Sequence, residues 1–146
     1  MIALDTNILV YSHRRDSAWH EPAVVAVREL AESGGAWAIP WPCVHEFLAV
    51  VTHPRAFSPP TPLDAALNQV ETWLESPTLS LLSEVTAAAW PTSRALLTEG
   101  RVVGPRVHDA RIAALCVTHG VRELWSADRD FSRFPALRVR NPLVAP

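Results

Sequence analysis

Met1-Ile2-Ala3-Leu4-Asp5-Thr6-Asn7 opens the chain, and its reading decides the fold class. A short apolar run of this length is a buried strand, and the residue that ends it is a carboxylate. In an open parallel sheet ligands bind at the carboxyl ends of the strands, so an acid at such a tip is placed for chemistry rather than solubility. Thr6 or Asn7 is expected to cap a helical turn running on through Val10. The stretch is not expected to be a secretory leader, because no basic segment precedes it and no cleavage-like site follows before His13-Arg14-Arg15.

Strand and helix signals alternate outward from this opening. Pro22 fits the first position of a longer helix, where Ala23, Val24, Val27, Leu30 and Ala31 form one apolar stripe before Gly34-Gly35 ends it. Ala36 to Ile39 reads as a second strand. Pro42 opens the next helix, whose apolar face of Val44, Phe47, Leu48 and Val51 leaves Glu46 just to one side, free to point into a cleft. The prolines of His53 to Pro62 exclude helix interior, so that segment is a stiff surface connection. Pro62 starts a helix to about Glu75, and Leu79 to Leu82 is a third strand. Thr86 to Glu99 is a helix kinked or split near Pro91 and stopped by Gly100. After the loop Arg101 to Val107, Ile112, Leu115 and Cys116 stripe a helix ending at Gly120, and Glu123 to Ser126 and Leu137 to Val139 are further strands. The alternation predicts an α/β fold with a mainly parallel sheet.

Composition removes whole classes of function. All of the 13 basic residues are arginine, and the absent lysine excludes the P-loop lysine, Schiff-base chemistry and Ser-Lys pairs. The formal net charge of -2 means that nucleic acid would have to be held by a local patch. A chain of 146 residues, 49% hydrophobic, is sized for one domain. Two cysteines, Cys43 and Cys116, make no disulfide framework, and no apolar run approaches bilayer thickness, so a cytoplasmic location is expected.

Three more acids stand at comparable places: Glu46, Asp109 in the first turn after Gly104-Pro105, and Asp128 after the strand Leu124-Trp125-Ser126. Each has an ordinary structural explanation: Asp5 as a helix cap, Asp109 as a complement to a helix dipole, Glu46 as a solvated residue, Asp128 as an Asx-turn residue. Four carboxylates brought together repel unless a hard divalent cation joins them. Mg²⁺ or Mn²⁺ suits oxygen ligands of this kind, and the reaction that follows is metal-assisted in-line hydrolysis of a phosphodiester.

Ile2-Ala3-Leu4-Asp5-Thr6-Asn7, Glu46 within Val44-His45-Glu46-Phe47, His108-Asp109-Ala110 and Ser126-Ala127-Asp128-Arg129-Asp130-Phe131 together resemble a PIN domain, more narrowly a VapC-type ribonuclease toxin of a bacterial toxin-antitoxin system. The resemblance spans nearly the whole chain and implies a three-layer α-β-α fold over residues 1–146. It implies Asp5, Glu46, Asp109 and Asp128 as catalytic, metal-binding acids, with Thr6, Asn7 and Ser126 as supporting polar groups. Asp130, two residues beyond Asp128, remains an alternative fourth acid. The resemblance also implies an RNA substrate, a homodimer and a cognate VapB-like antitoxin.

Arg14, Arg15, Arg101, Arg106, Arg111 and Arg129 lie near these acids in sequence and are candidates to grip RNA phosphates, or else form surface pairs. Trp37 and Trp41 are the tryptophans best placed to stack on bases, whereas Trp125 is expected in the core. His108 adjoins Asp109 and is a weaker candidate for proton transfer. Cys43-x-His45 lacks the spacing of a zinc site. Two other readings compete: a magnesium-dependent phosphatase-like enzyme, disfavoured by Asn7 where such an enzyme carries a second aspartate, and a non-catalytic PIN-like module, which would not need all the acids.

Overall fold

β1 (Ile2–Leu4) is the centre of the sheet in the computed structural model, which describes residues 1–146. The other strands are β2 (Trp37–Pro40), β3 (Leu79–Leu82), β4 (Glu123–Trp125) and β5 (Val139–Arg140). They lie in the order β3-β2-β1-β4-β5, and every neighbouring pair is parallel. The helices between them are α1 (Thr6–His13), α2 (His20–Glu32), α3 (Trp41–Val51), α4 (Leu63–Leu74), α5 (Trp90–Glu99) and α6 (Val107–Thr118). The chain therefore runs outward from β1 through β2 to β3, then crosses back to lay β4 and β5 on the other side. β1 and β4 border the place where strand order reverses, the position at which open α/β sheets form their ligand crevice.

The short strands hold because both faces of the sheet are covered. Ala3, Leu4, Ala38 and Leu124 are fully buried, the continuous apolar pattern of a parallel sheet under helices on each side. Ile8 and Leu9 of α1 and Phe47 of α3 are also fully buried, so α1 and α3 pack together over the sheet. Each such side chain contributes roughly 1.5–3 kcal/mol by leaving water, and Phe47→Ala is expected to cost about 3–5 kcal/mol once the cavity is included. On α6, Ala110, Ile112, Ala113, Ala114, Leu115 and Cys116 are all buried, which fixes that helix and therefore the direction of its first turn.

Several boundaries differ from the sequence reading. Asp5 itself, not Thr6 or Asn7, is the N-cap of α1, because its extended backbone (φ -80°, ψ 162°) lets its carboxylate accept from the Thr6 amide. α2 begins two residues before Pro22, which falls inside the first turn, where its missing amide has no helical partner to lose. Pro91 does split its segment, leaving a 3₁₀ turn at Ala87–Ala89 before α5. Leu137 is not in a strand: it is buried at the close of a turn in which its amide donates to Phe134 O at 3.0 Å, and β5 starts two residues later.

Candidate active site

Asp5 follows β1 directly, and its amide donates to Trp125 O of β4 at 3.0 Å, so the pairing of the two strands continues into the acid. Its side chain is almost wholly enclosed, 6% exposed, and both oxygens are occupied by donors. Oδ1 accepts from Thr6 N at 2.8 Å and from the Cys43 thiol at 3.8 Å. Oδ2 accepts from Ser126 Oγ at 2.6 Å and from Asn7 Nδ2 at 3.4 Å. The two short bonds orient the carboxylate, and the two long ones add little.

Asn7 and Ser126 tie the end of β1 to the turn after β4. Asn7 Nδ2 donates to Ser126 Oγ at 3.2 Å while Asn7 Oδ1 accepts from Ala127 N at 3.2 Å. Ser126 Oγ in turn accepts from Asp128 N at 3.0 Å, and Asp128 Oδ1 accepts from Asp130 N at 2.8 Å. Asp128 thus caps the 3₁₀ turn Arg129–Arg133, as an Asx residue does, and is held at the cleft by the same bonds. Glu46, on the exposed side of α3, accepts from Thr6 Oγ1 at 3.1 Å. Asp109 lies in the first turn of α6, where the helix end favours negative charge.

Asp5, Glu46, Asp109 and Asp128 line one cleft of about 310 Å³, together with Thr6, Asn7 and Tyr11. Oxygens of Asp109, Asp128 and Asp130 also lie within 4.8 Å of one another. Asp130 stands at the rim: it is 47% exposed and pairs with Arg106 Nη1 at 2.9 Å. Geometry therefore puts Asp128 on the cleft wall with Asp5, and leaves Asp130 close by with a cationic partner of its own.

Burial, reinforced by neighbouring charge, raises two of these acids. Burial, more than any neighbour, pushes the Asp5 carboxyl from 3.8 up to about 6; Ser126 and Thr6 oppose this, and Glu46 and Asp109 reinforce it. Asp109 is also held above the usual carboxylate range, first by burial and then by Asp128, Glu46 and Asp130, with Arg106 opposing. Burial and the nearby Asp5 charge push the Cys43 thiol up, so it stays protonated and can only donate to Asp5. The remaining donors are carboxylate oxygens, a set that suits a hard divalent cation such as Mg²⁺ or Mn²⁺ better than zinc.

The expected substrate contacts divide. Trp37 is buried and donates from Nε1 to Ser76 Oγ at 2.9 Å, so it is a core residue and not a stacking surface; β2 lies between β1 and β3, with no face open to solvent. Trp41, at the start of α3, is 39% exposed. Trp125 is buried, with Nε1 donating to Glu123 Oε1 at 2.8 Å. Arg111 is engaged by Glu84 through bonds of 2.6 and 3.0 Å, and Arg14 by Asp16, Thr61 and the Phe57 ring, so both have structural partners. Arg15, Arg101 and Arg129 are exposed. Cys43 turns inward and His45 outward, which separates the pair weighed for zinc.

Sequence reasoning did not find three of the neighbours. Cys43 lies behind Asp5, and Tyr11 and Phe57 line the cleft. Tyr11 sits one helical turn beyond Asn7, a spacing that could have pointed to it. Phe57 comes from the proline-rich connection, whose path over the cleft has no sequence signal.

The PIN domain family model matches residues 2–137. Ribonuclease VapC48 of Mycobacterium tuberculosis is 31% identical over 138 residues, covering 94% of this chain and 94% of its own length. Ribonuclease VapC43 of the same species is 33% identical over 143 residues, covering 98% of this chain and 96% of its own. Among solved structures, VapBC2 from Rickettsia felis bound to a DNA fragment from their promoter superposes with a TM-score of 0.70 at 21% identity, covering 97% of this chain and 98% of that one, a likeness of fold. With a family match over nearly its whole length and VapC relatives of this similarity, the chain belongs to the PIN domain family, within its VapC group.

Proposed function

We propose that residues 1–146 form a single PIN-like nuclease domain, a divalent-metal-dependent endoribonuclease that serves as the toxin of a type II toxin-antitoxin pair. One observation carries the reading: Asp5, Glu46, Asp109 and Asp128 line a single cleft beside the point where strand order reverses. Asp5 and Asp109 are held above the usual carboxylate range there, by burial and by neighbouring carboxylates, and a bound cation would offset that cost.

Asp5, Glu46, Asp109 and Asp128 would hold Mg²⁺ or Mn²⁺, with Asp130 able to substitute for Asp128. Bound there, the metal supplies a more acidic water and neutralises charge developing on the phosphate. The chain's own groups do the rest. Ser126 and the Thr6 amide fix the direction of the Asp5 carboxylate. Thr6 Oγ1 steadies Glu46, which is exposed and not fixed by burial, leaving its other oxygen to accept a proton from an attacking water. Arg15, Arg101 and Arg129, exposed around a molecule of net charge -2, are the arginines left to meet phosphates.

The VapC ribonucleases and the VapBC complex support an RNA substrate and a VapB-like antitoxin for this chain too; the homodimer rests on the family resemblance alone. Exposed apolar residues give such partners a surface: Val85, Trp90, Val103 and Val107 are 82%, 58%, 78% and 42% exposed. No helix is long and apolar enough to cross a membrane.

The test is RNA cleavage by purified protein with and without Mg²⁺ or Mn²⁺, compared with Asp5→Asn. Loss of the several kcal/mol that metal-assisted catalysis supplies predicts a fall of at least about a thousandfold. Cleavage by Asp5→Asn at the wild-type rate would overturn the reading.

A further inference from the structure

A second cleft of about 650 Å³ opens between α3 and α6, lined by Trp41, His45, His108 and Pro105 and sharing Glu46 and Asp109 with the acidic cleft. We propose that it seats one unpaired base of the RNA next to the bond being cut, with the Trp41 indole as the stacking surface. This rests on the nuclease reading and adds to it the place where a base is held.

Trp41 is the feature that calls for explanation. Trp37, Trp73 and Trp125 are buried in the core; of the exposed tryptophans Trp19, Trp41 and Trp90, only Trp41, 39% exposed, shares a helix with Glu46 and lines this cleft. Its ring is braced from one side. The His45 ring meets it edge-on at 5.1 Å and 81°, and His45 Nδ1 donates to the Trp41 carbonyl at 3.2 Å. A carbonyl can only accept, so Nδ1 carries the proton and Nε2 is left as the ring's other polar atom, available to the edge of a base. A braced indole loses little rotamer freedom when a flat ring stacks on it, and every base offers such a face.

The lining also favours a base over a phosphate. Its one arginine, Arg111, is held by both oxygens of Glu84, while Glu46 and Asp109 contribute negative charge. A phosphate there would meet carboxylates and no free cation, whereas a neutral base meets an indole and two imidazoles. Trp41 and Glu46 are five residues apart on one helix, about 7.5 Å along its axis. Both side chains line this cleft, so a nucleotide whose phosphate is at the acids has Trp41 as the neighbouring flat surface for its base.

The experiment measures binding, so that it does not depend on turnover. In the Asp5→Asn protein, fluorescence anisotropy would follow a labelled single-stranded RNA, intact or with an abasic residue at each position in turn. Adding Trp41→Ala is expected to weaken binding of the intact RNA by roughly fivefold to a hundredfold, the range for one stacked base. Trp41→Phe should restore most of the loss. At one position the abasic RNA should already be weakened by that factor, with Trp41→Ala costing nothing more. Unchanged binding by Trp41→Ala, or equal abasic penalties with and without Trp41, would overturn the proposal, as would no binding of RNA by the parent. A thermal melt of each variant separates loss of the platform from loss of the fold, and His108→Ala gives a second probe of the same cleft. Failure of the nuclease reading would show separately, as no metal-dependent cleavage by protein with Asp5 intact.

Discussion

Asp5 and Asp130 belong to the same acidic neighbourhood and are held in opposite ways. Asp5 is enclosed, 6% exposed, and set by four donors from Thr6, Cys43, Ser126 and Asn7. Asp130 is 47% exposed and has an arginine for a partner. At the first, burial dominates and the carboxyl rises to about 6; at the second, solvent and Arg106 share the charge. Direction at the floor of the cleft therefore comes from hydrogen bonds that water cannot disturb, and charge at the rim is free to adjust.

The largest expected effect tests that contrast in activity. Asp5→Asn should lower RNA cleavage by at least about a thousandfold, and Asp130→Asn by less than about tenfold, because loss of a half-exposed ion pair is worth at most about 1 kcal/mol. Equal losses in a side-by-side rate measurement would show that floor and rim are one unit.

Next comes pH. A carboxyl raised from 3.8 to about 6 by folding favours its protonated form, so its contribution is fully present below about pH 4 and is lost as pH rises through 6. For the metal-free protein this amounts to about 3 kcal/mol of unfolding free energy lost by neutral pH. Denaturant titrations between pH 4 and 7.5 should show this slope in the wild type and its loss in Asp5→Asn. A slope that survives the substitution would assign it to the rim acids.

Metal should reverse that cost. At a hundred times its dissociation constant, Mn²⁺ is expected to stabilise the wild type by about 2.7 kcal/mol, read as a rise in melting temperature that Asp5→Asn weakens. Ser126→Ala should cost roughly 1–3 kcal/mol, since Asp5 Oδ2 and the Asp128 amide both lose the same hydroxyl. The smallest effect belongs to Asp109→Asn, which without metal should be no less stable than wild type because it relieves repulsion. A loss above about 1 kcal/mol would instead make Asp109 a helix-end residue first.

Much of this was legible in one dimension. The strand at Ile2–Leu4 and the strand at Leu79–Leu82 follow from short apolar runs between polar punctuation, and the break at Pro91 from a missing amide. Asp5 and Asp128 stood out by following strands and Asp109 by opening a helix, where local signals are strongest, whereas Glu46, in the middle of α3, was marked only by lying off that helix's apolar face. Trp37 and Trp41 show where such signals end: they are four residues apart in similar surroundings, yet one lies inside the sheet and the other beside an open cleft.

The sequence alone determined the alternation of elements, the choice of carboxylates over lysine or thiol chemistry, and the order of the acids, because these depend on residue type and near neighbours. Tertiary structure decided that the chain reverses around β1 and β4, that Cys43 backs Asp5, that Arg106 meets Asp130 and that Trp41 keeps its face to solvent. The physical reason is range. Propensity and periodicity act over a few residues, whereas burial, charge crowding and the hydrogen bond between Ser126 and Asp5, 121 positions apart, exist only once the sheet has closed.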